Sequence, residues 1–193
     1  MMPVPKVAEP AAFNSKARLP GNAWLAANPN KARPKPLWEP FTAALGAGFG
    51  ERCGYAAMYD PTGGTVDHYL SVKHHRSLSY EWGNYRFASA PLNASKKNAD
   101  DEVLDPYDVG EGWFEIILPS LQLRVTAKVP AAYLAKAEHT LKRLKLRDGE
   151  RIIRQRRSWY RMYCEGKLTL DGLRLVAPLI ATAVAAHAAF ARP

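Results

Sequence analysis

The sequence predicts an α+β protein, on three observations. Short strand-like stretches bounded by turn residues fill the middle of the chain, apolar residues recur at helical spacing from Pro130 onward, and the first forty residues are too rich in proline for a long helix. With 193 residues the chain has the length of one domain and enough material for a sizeable core. A composition of 47% hydrophobic and 23% charged residues is that of a soluble globular protein. The two cysteines, Cys53 and Cys164, exclude a disulfide framework and an all-cysteine zinc ribbon. Both read as buried, unreactive thiols.

Taken in order, residues 1–50 predict an extended, Pro-rich arm that ends in a short helix. Pro20, Pro29, Pro34, Pro36 and Pro40 interrupt it, and Trp24 and Trp38 favour an arm docked on the body or on a partner over a free tail. The run FTAALGAGFG, 41–50, supplies the helix and the glycines that stop it. Residues 51–127 predict a central core followed by a strand pair, WFEIILP and LQLRVTA, meeting at Pro119-Ser120. Residues 128–193 predict a basic helical region. Tyr133, Leu134, Ala137, Leu141 and Leu144 form an apolar stripe, and further helices follow over 149–165 and 169–190, punctuated by Gly149 and Gly166.

No continuous apolar core lies between Lys6 and Lys16, so the start of the chain does not read as a secretory signal. The apolar run 175–190 is shorter than the ~20 residues of a membrane span and contains Pro178 and His187, so a packed helix is expected. The expected location is cytoplasmic, with no membrane partner.

The net charge is +9, and it is unevenly placed. Between Leu121 and Lys167 thirteen Lys and Arg face four acids, so this span holds the whole surplus. Within it Arg151, Arg154, Arg157 and Arg161 interleave with Trp159 and Tyr160. Arginine grips phosphate with paired donors and aromatics stack on bases, so these four are the candidate nucleic-acid contacts. A solvated helix face with core aromatics is the plain alternative.

Chemistry concentrates in GTVDHYL (64–70), YEWGNYRF (80–87) and LNASKK (92–97). Asp67-His68 sits in strand-like sequence, Asn84 follows His68 by sixteen residues, Asn93 follows Asn84 by nine, and Lys96 follows Asn93 by three. This order resembles the HNH endonucleases, whose ββα-metal fold wraps a hairpin and a helix around one divalent cation. The resemblance covers 53–98. It implies Asp67 and Asn93 as ligands of Mg²⁺ or Mn²⁺, His68 as general base, Asn84 as the residue that bonds the loop and orients the histidine, and Lys96 as the phosphate-holding cation, with Lys97 or Arg86 as substitutes. The wider texture is similar to HNH proteins of bacterial anti-phage systems such as Septu, which implies a defence role with a partner protein such as an ATPase.

The residue types suit the chemistry. Phosphodiester hydrolysis needs a water, a base and positive charge on the leaving oxygen. Carboxylate and carboxamide oxygens suit hard cations, and a neutral imidazole accepts a proton near neutral pH. Because neighbours on a strand face opposite ways, Asp67 and His68 share a site only if the strand ends or bends there. Two features depart from the family. Cys53 stands without the cysteine pairs that hold a zinc knuckle in many relatives, so no structural zinc is expected, and the hairpin is expected to rely on Tyr55, Trp82 and Phe87. Asn93 also replaces the commoner histidine, which weakens metal binding and is what an inactive member would carry.

Singly, each residue has an ordinary reading: His68 a structural histidine, Asp67 and the Asp105-Pro106 pair turn residues, Asn84 and Asn93 caps, His74 and His75 exposed loop polarity rather than ligands. Together they predict an endonuclease cutting DNA, ahead of RNA, with weak sequence preference. The alternatives are a nucleic-acid-binding protein that has lost catalysis and a protein-interaction subunit.

Overall fold

The structure, a computed structural model, describes residues 1–190. It is an α+β fold with two small antiparallel sheets set among helices. In chain order the elements are α1 (Leu19–Ala27), α2 (Thr42–Gly48), β1 (Thr65–His68), β2 (Tyr85–Ala88), α3 (Ala90–Lys96), β3 (Phe114–Ile117), β4 (Gln122–Val125), α4 (Ala131–Arg143), α5 (Glu150–Cys164), α6 (Leu170–Val176) and α7 (Pro178–Phe190).

The arm is not extended throughout. Residues Asn14–Arg18 coil and lead into α1, because Pro20 falls in the first helical turn, where its missing N–H costs nothing. Gly21 makes the next contact possible: a Cβ there would lie 2.5 Å from the Tyr80 ring. The segment is fastened along its length. Trp82 Nε1 donates to the Val7 carbonyl, Tyr80 Oη to Lys35, and the Arg76 guanidinium to Asn28 and Lys31.

Two apolar clusters flank the β1–β2 hairpin. Phe13, Phe41, Leu45 and Phe49 pack with Val66, Trp82, Tyr85 and Phe87 on one side. The larger cluster joins Tyr55, Leu92 and the β3–β4 hairpin to the C-terminal helices. Tyr55, Trp82 and Phe87 are all buried. Gly64, at φ +58°, leads into β1 in a left-handed conformation, and a Cβ on it would sit 2.3 Å from the Phe87 ring.

In the C-terminal region Ala137, Leu141 and Leu144 are buried as the stripe predicts, whereas Leu134 is 46% exposed. The helix expected over 169–190 is two helices. Ala177 leaves the helical conformation because the ring of Pro178 disfavours it there. Thr169 starts the first of them by accepting the Gly172 N–H at 3.0 Å. Cys53 is buried but Cys164 is exposed, contrary to expectation, because it ends α5 on the outer face. Among the described residues no helix is long and apolar enough to cross a membrane.

Candidate functional site

β1 and β2 pair with Asp67 opposite Arg86 and His68 opposite Tyr85, and α3 follows at once. The four-residue strands alternate, so one face presents Asp67 and the other His68. Although β1 ends at His68, the alternation holds through it, and the two side chains enter different surroundings.

Asp67 is 1% exposed. One carboxylate oxygen accepts from Tyr55 Oη at 2.7 Å and the other from Lys96 Nζ at 3.2 Å. Burial, and after it the neighbouring carboxylate, hold the Tyr55 phenol well above its ordinary range, so it stays a donor. The Lys96 ammonium is wholly buried and also donates to the carbonyls of His68 at 3.0 Å and Tyr69 at 2.9 Å. Lys96 therefore does not reach an external phosphate as the sequence suggested. As the last residue of α3 it points back into the core, where leaving an ammonium without an anion would be costly.

Arg86 departs from expectation in the same way. Its guanidinium forms a fork on Asp105, at 2.6 and 2.5 Å, and lies over the Tyr107 ring, 3.9 Å from the centroid. Burial works against its charge, yet the Asp105 carboxylate outweighs that and raises its pKa. It is 4% exposed and has no face for nucleic acid. Asp105 also makes the turn read from Asp105-Pro106, accepting the Tyr107 N–H at 2.9 Å. Lys97, one residue beyond α3, is exposed.

His68 is half-buried on the opposite face. Its Nε2 lies 2.9 Å from the Ser79 carbonyl, which can only accept, so Nε2 carries the proton and Nδ1 keeps its lone pair. Tyr85 packs edge-on at 5.0 Å and Trp38 at 4.6 Å. Burial lowers the His68 pKa, partly offset by the Ser79 hydrogen bond and Asp67, and the ring is neutral at physiological pH. Asn84 bonds the loop that carries Ser79. Its carboxamide accepts from Leu70 N at 2.8 Å and donates to the carbonyls of Leu70 at 2.9 Å and Leu78 at 3.3 Å. Asn93 ties α3 to β1, donating to Thr65 Oγ1 at 3.0 Å and the Val66 carbonyl at 3.2 Å, which leaves its side-chain oxygen as acceptor.

The donors at Asp67 match a hard divalent cation in kind, since one carboxylate and two backbone carbonyls already surround a positive charge. They match a weak site, since a single carboxylate contributes. Asn93, the other expected ligand, is bonded to Thr65 and Val66 and makes no hydrogen bond with Asp67. Among the described residues no group of three or more His, Cys, Asp or Glu is placed to hold a metal ion. His74 is taken up by Asp100, its Nδ1 2.6 Å from the carboxylate, with His75 at 3.9 Å.

The arginines of α5 are outside. Arg151, Arg154, Arg157 and Arg161 are exposed, and steps of three and four residues put them on one side of the helix. Arg154 pairs with Glu150, and Arg161 lies 3.8 Å from Glu165; pairs this exposed are weak enough to be exchanged. Arg156, in the same run, is buried and donates to the carbonyls of Leu121, Leu146 and Arg147. Burial lowers its pKa to about 10. A groove of about 450 Å³ joins α3 to this face, lined by Ser95 of α3, Lys145 and Arg151 among others. Arg143 bonds the Ser95 and Lys96 carbonyls at the end of α3.

Sequence reasoning missed Tyr55 as the partner of Asp67, Asp105 as that of Arg86, Trp38 as the wall on His68, and Arg143. Cross-strand charge would have flagged Arg86 as internal once the hairpin register was drawn. Nothing in the local pattern marks the others. Compared with known proteins, the chain matches no family model, no curated protein and no solved structure.

Proposed function

We propose that this chain hydrolyses phosphodiester bonds in nucleic acid, DNA ahead of RNA, as the resemblance to HNH endonucleases implies. The observation that carries the reading is the state of His68. A neutral imidazole is fixed through Nε2 to Ser79, on a loop bonded by Asn84, with Nδ1 as the free lone pair. That is the arrangement a general base needs. Asp67 leaves β1 on the opposite face, so this reading requires the end of the hairpin to rearrange before base and cation act on one phosphate.

In this reading Nδ1 of His68 takes a proton from water as the water oxygen bonds to phosphorus and the P–O bond to the leaving oxygen breaks, that oxygen being protonated from solvent. Asn84 acts through the loop as a positioning residue. Asp67 and Asn93 are the residues that would hold Mg²⁺ or Mn²⁺, which would supply positive charge to the phosphate and the leaving oxygen. The α5 arginines and Lys97 hold the nucleic-acid backbone without reading bases, which gives salt-sensitive binding and weak sequence preference. A role in defence beside a partner protein belongs to the softer part of the resemblance.

One observation favours a second reading. Lys96 already neutralises Asp67, and a site closed in that way suits a binding protein that no longer cuts. Supercoiled plasmid incubated with the protein and Mg²⁺ or Mn²⁺ separates the two. Nicking that is lost with EDTA and with His68→Ala is expected; retardation without nicking under either metal sinks the hydrolase and leaves the binder.

A further inference from the structure

We infer that Lys96 is an exchangeable internal cation: its ammonium fills the oxygen cradle at Asp67 until a divalent metal ion displaces it. This rests on the reading of Asp67 as a metal ligand. Lys96 Nζ is 3.2 Å from Asp67 Oδ1, 3.0 Å from the His68 carbonyl and 2.9 Å from the Tyr69 carbonyl. A carboxylate and two carbonyls converging on one point is the donor chemistry of a hard cation, and here an ammonium supplies the charge.

The cradle is closed while the lysine is in it. Asp67 is 1% exposed and Lys96 is wholly buried, so a metal ion and the ammonium compete for the same carboxylate. Arg86 faces Asp67 across the hairpin but is committed to Asp105, which leaves Lys96 as the cation bonded to Asp67. A divalent ion attracts a carboxylate more strongly than a single charge at the same distance.

The exchange requires the Lys96 side chain to leave a fully buried position, at a cost the metal ion must offset. Lys96 is the last residue of α3, and Lys97 has already left the helix at φ +52°. The four-carbon stem of Lys96 can swing without unwinding the helix. Asn93, one turn earlier, keeps α3 on β1 through its amide nitrogen, bonded to Thr65 and Val66, while the side chain of Lys96 moves. The displaced ammonium is then free for the phosphate, which restores to Lys96, in the metal-bound state, the role that the sequence implies for it.

Competition is tested by titrating Mn²⁺ against the full-length protein and following the free ion by electron paramagnetic resonance. The variants are Lys96→Met, Lys96→Arg and the double variant Asp67→Asn with Lys96→Met. Removing the competing charge should tighten Mn²⁺ binding at least about tenfold in Lys96→Met. Lys96→Arg should bind no more tightly than the parent, and the double variant should lose the site. Equal affinity in the parent and Lys96→Met overturns the proposal. If Lys96→Met is unfolded alone, folding on addition of Mn²⁺ supports the exchange and failure to fold at saturating Mn²⁺ refutes it. A gain in affinity with no plasmid cleavage by any form leaves the exchange standing and removes the hydrolase reading.

Discussion

The cations of this protein fall into two populations. Lys96, Arg86 and Arg156 are inside, bonded to carboxylates or to backbone carbonyls. Arg151, Arg154, Arg157 and Arg161 are outside, on one helix face, in water. The side-chain chemistry is the same and the consequences are opposite. An internal cation holds the fold and is costly to disturb, whereas an external one contributes almost nothing to stability and is available to a polyanion. The surplus of +9 is thus a poor measure of binding charge, because part of the basic sequence is structural cement.

The sharpest way to break this distinction is Asp67→Ala. It leaves the Lys96 ammonium buried with carbonyls only and should cost about 3–5 kcal/mol, read by chemical denaturation. Adding Lys96→Met should recover part of the loss, since the charge goes with its partner. A loss under about 1 kcal/mol for the single variant would show that the pair is not closed to water.

His68→Ala comes next; it removes the proposed base along with a bond to Ser79 and packing against Trp38 and Tyr85. Plasmid nicking should fall by about 10²–10⁴-fold while retardation on a gel is unchanged. Asn84→Ala removes bonds to Leu70 and Leu78 and should cost about 1–3 kcal/mol, with slower nicking because the loop that carries Ser79 is less firmly held. On the outer face, Arg154→Ala, Arg157→Ala and Arg161→Ala should each change stability by no more than about 0.5 kcal/mol. Each of these substitutions that frees one phosphate should flatten the logarithmic salt dependence of DNA binding by about 0.9.

The smallest effect is a pH dependence at Asp100. Burial alone would raise its pKa, but the Ser71 N–H and His74 outweigh burial and lower it. A carboxyl whose folded pKa is depressed stabilises the fold above its ordinary range and loses that contribution as pH falls through the folded value. Asp100→Asn should therefore narrow the stability difference between neutral and acid pH, read from melting temperatures.

Much of the architecture was legible because local pattern decides it. The Asp-His strand, the strand pair over 113–127 and the C-terminal helices follow from periodicity and turn residues, whereas the strand at Tyr85–Ala88 stands where the sequence read as loop. The failures share one cause: burial is a tertiary property. Lys96 and Lys97 are adjacent and identical, yet one is wholly buried and the other exposed. Arg156 and Arg157 divide in the same way. Helical spacing separates such neighbours only when the buried face is known, and a two-turn helix like α3 is too short to declare one. The helix inside the arm was hidden because prolines read as breakers, although Pro20 occupies the one turn that accepts it.

The most direct test of the division runs parent, His68→Ala and the triple arginine variant (Arg154→Ala, Arg157→Ala, Arg161→Ala) side by side on supercoiled plasmid with Mn²⁺ across a salt series. The parent should nick and retard the plasmid. His68→Ala should retard it without nicking, and the triple variant should lose retardation first as salt rises. Retardation that survives the triple variant unchanged at every salt concentration would contradict the account, because the outward arginines would then not be where the nucleic acid sits.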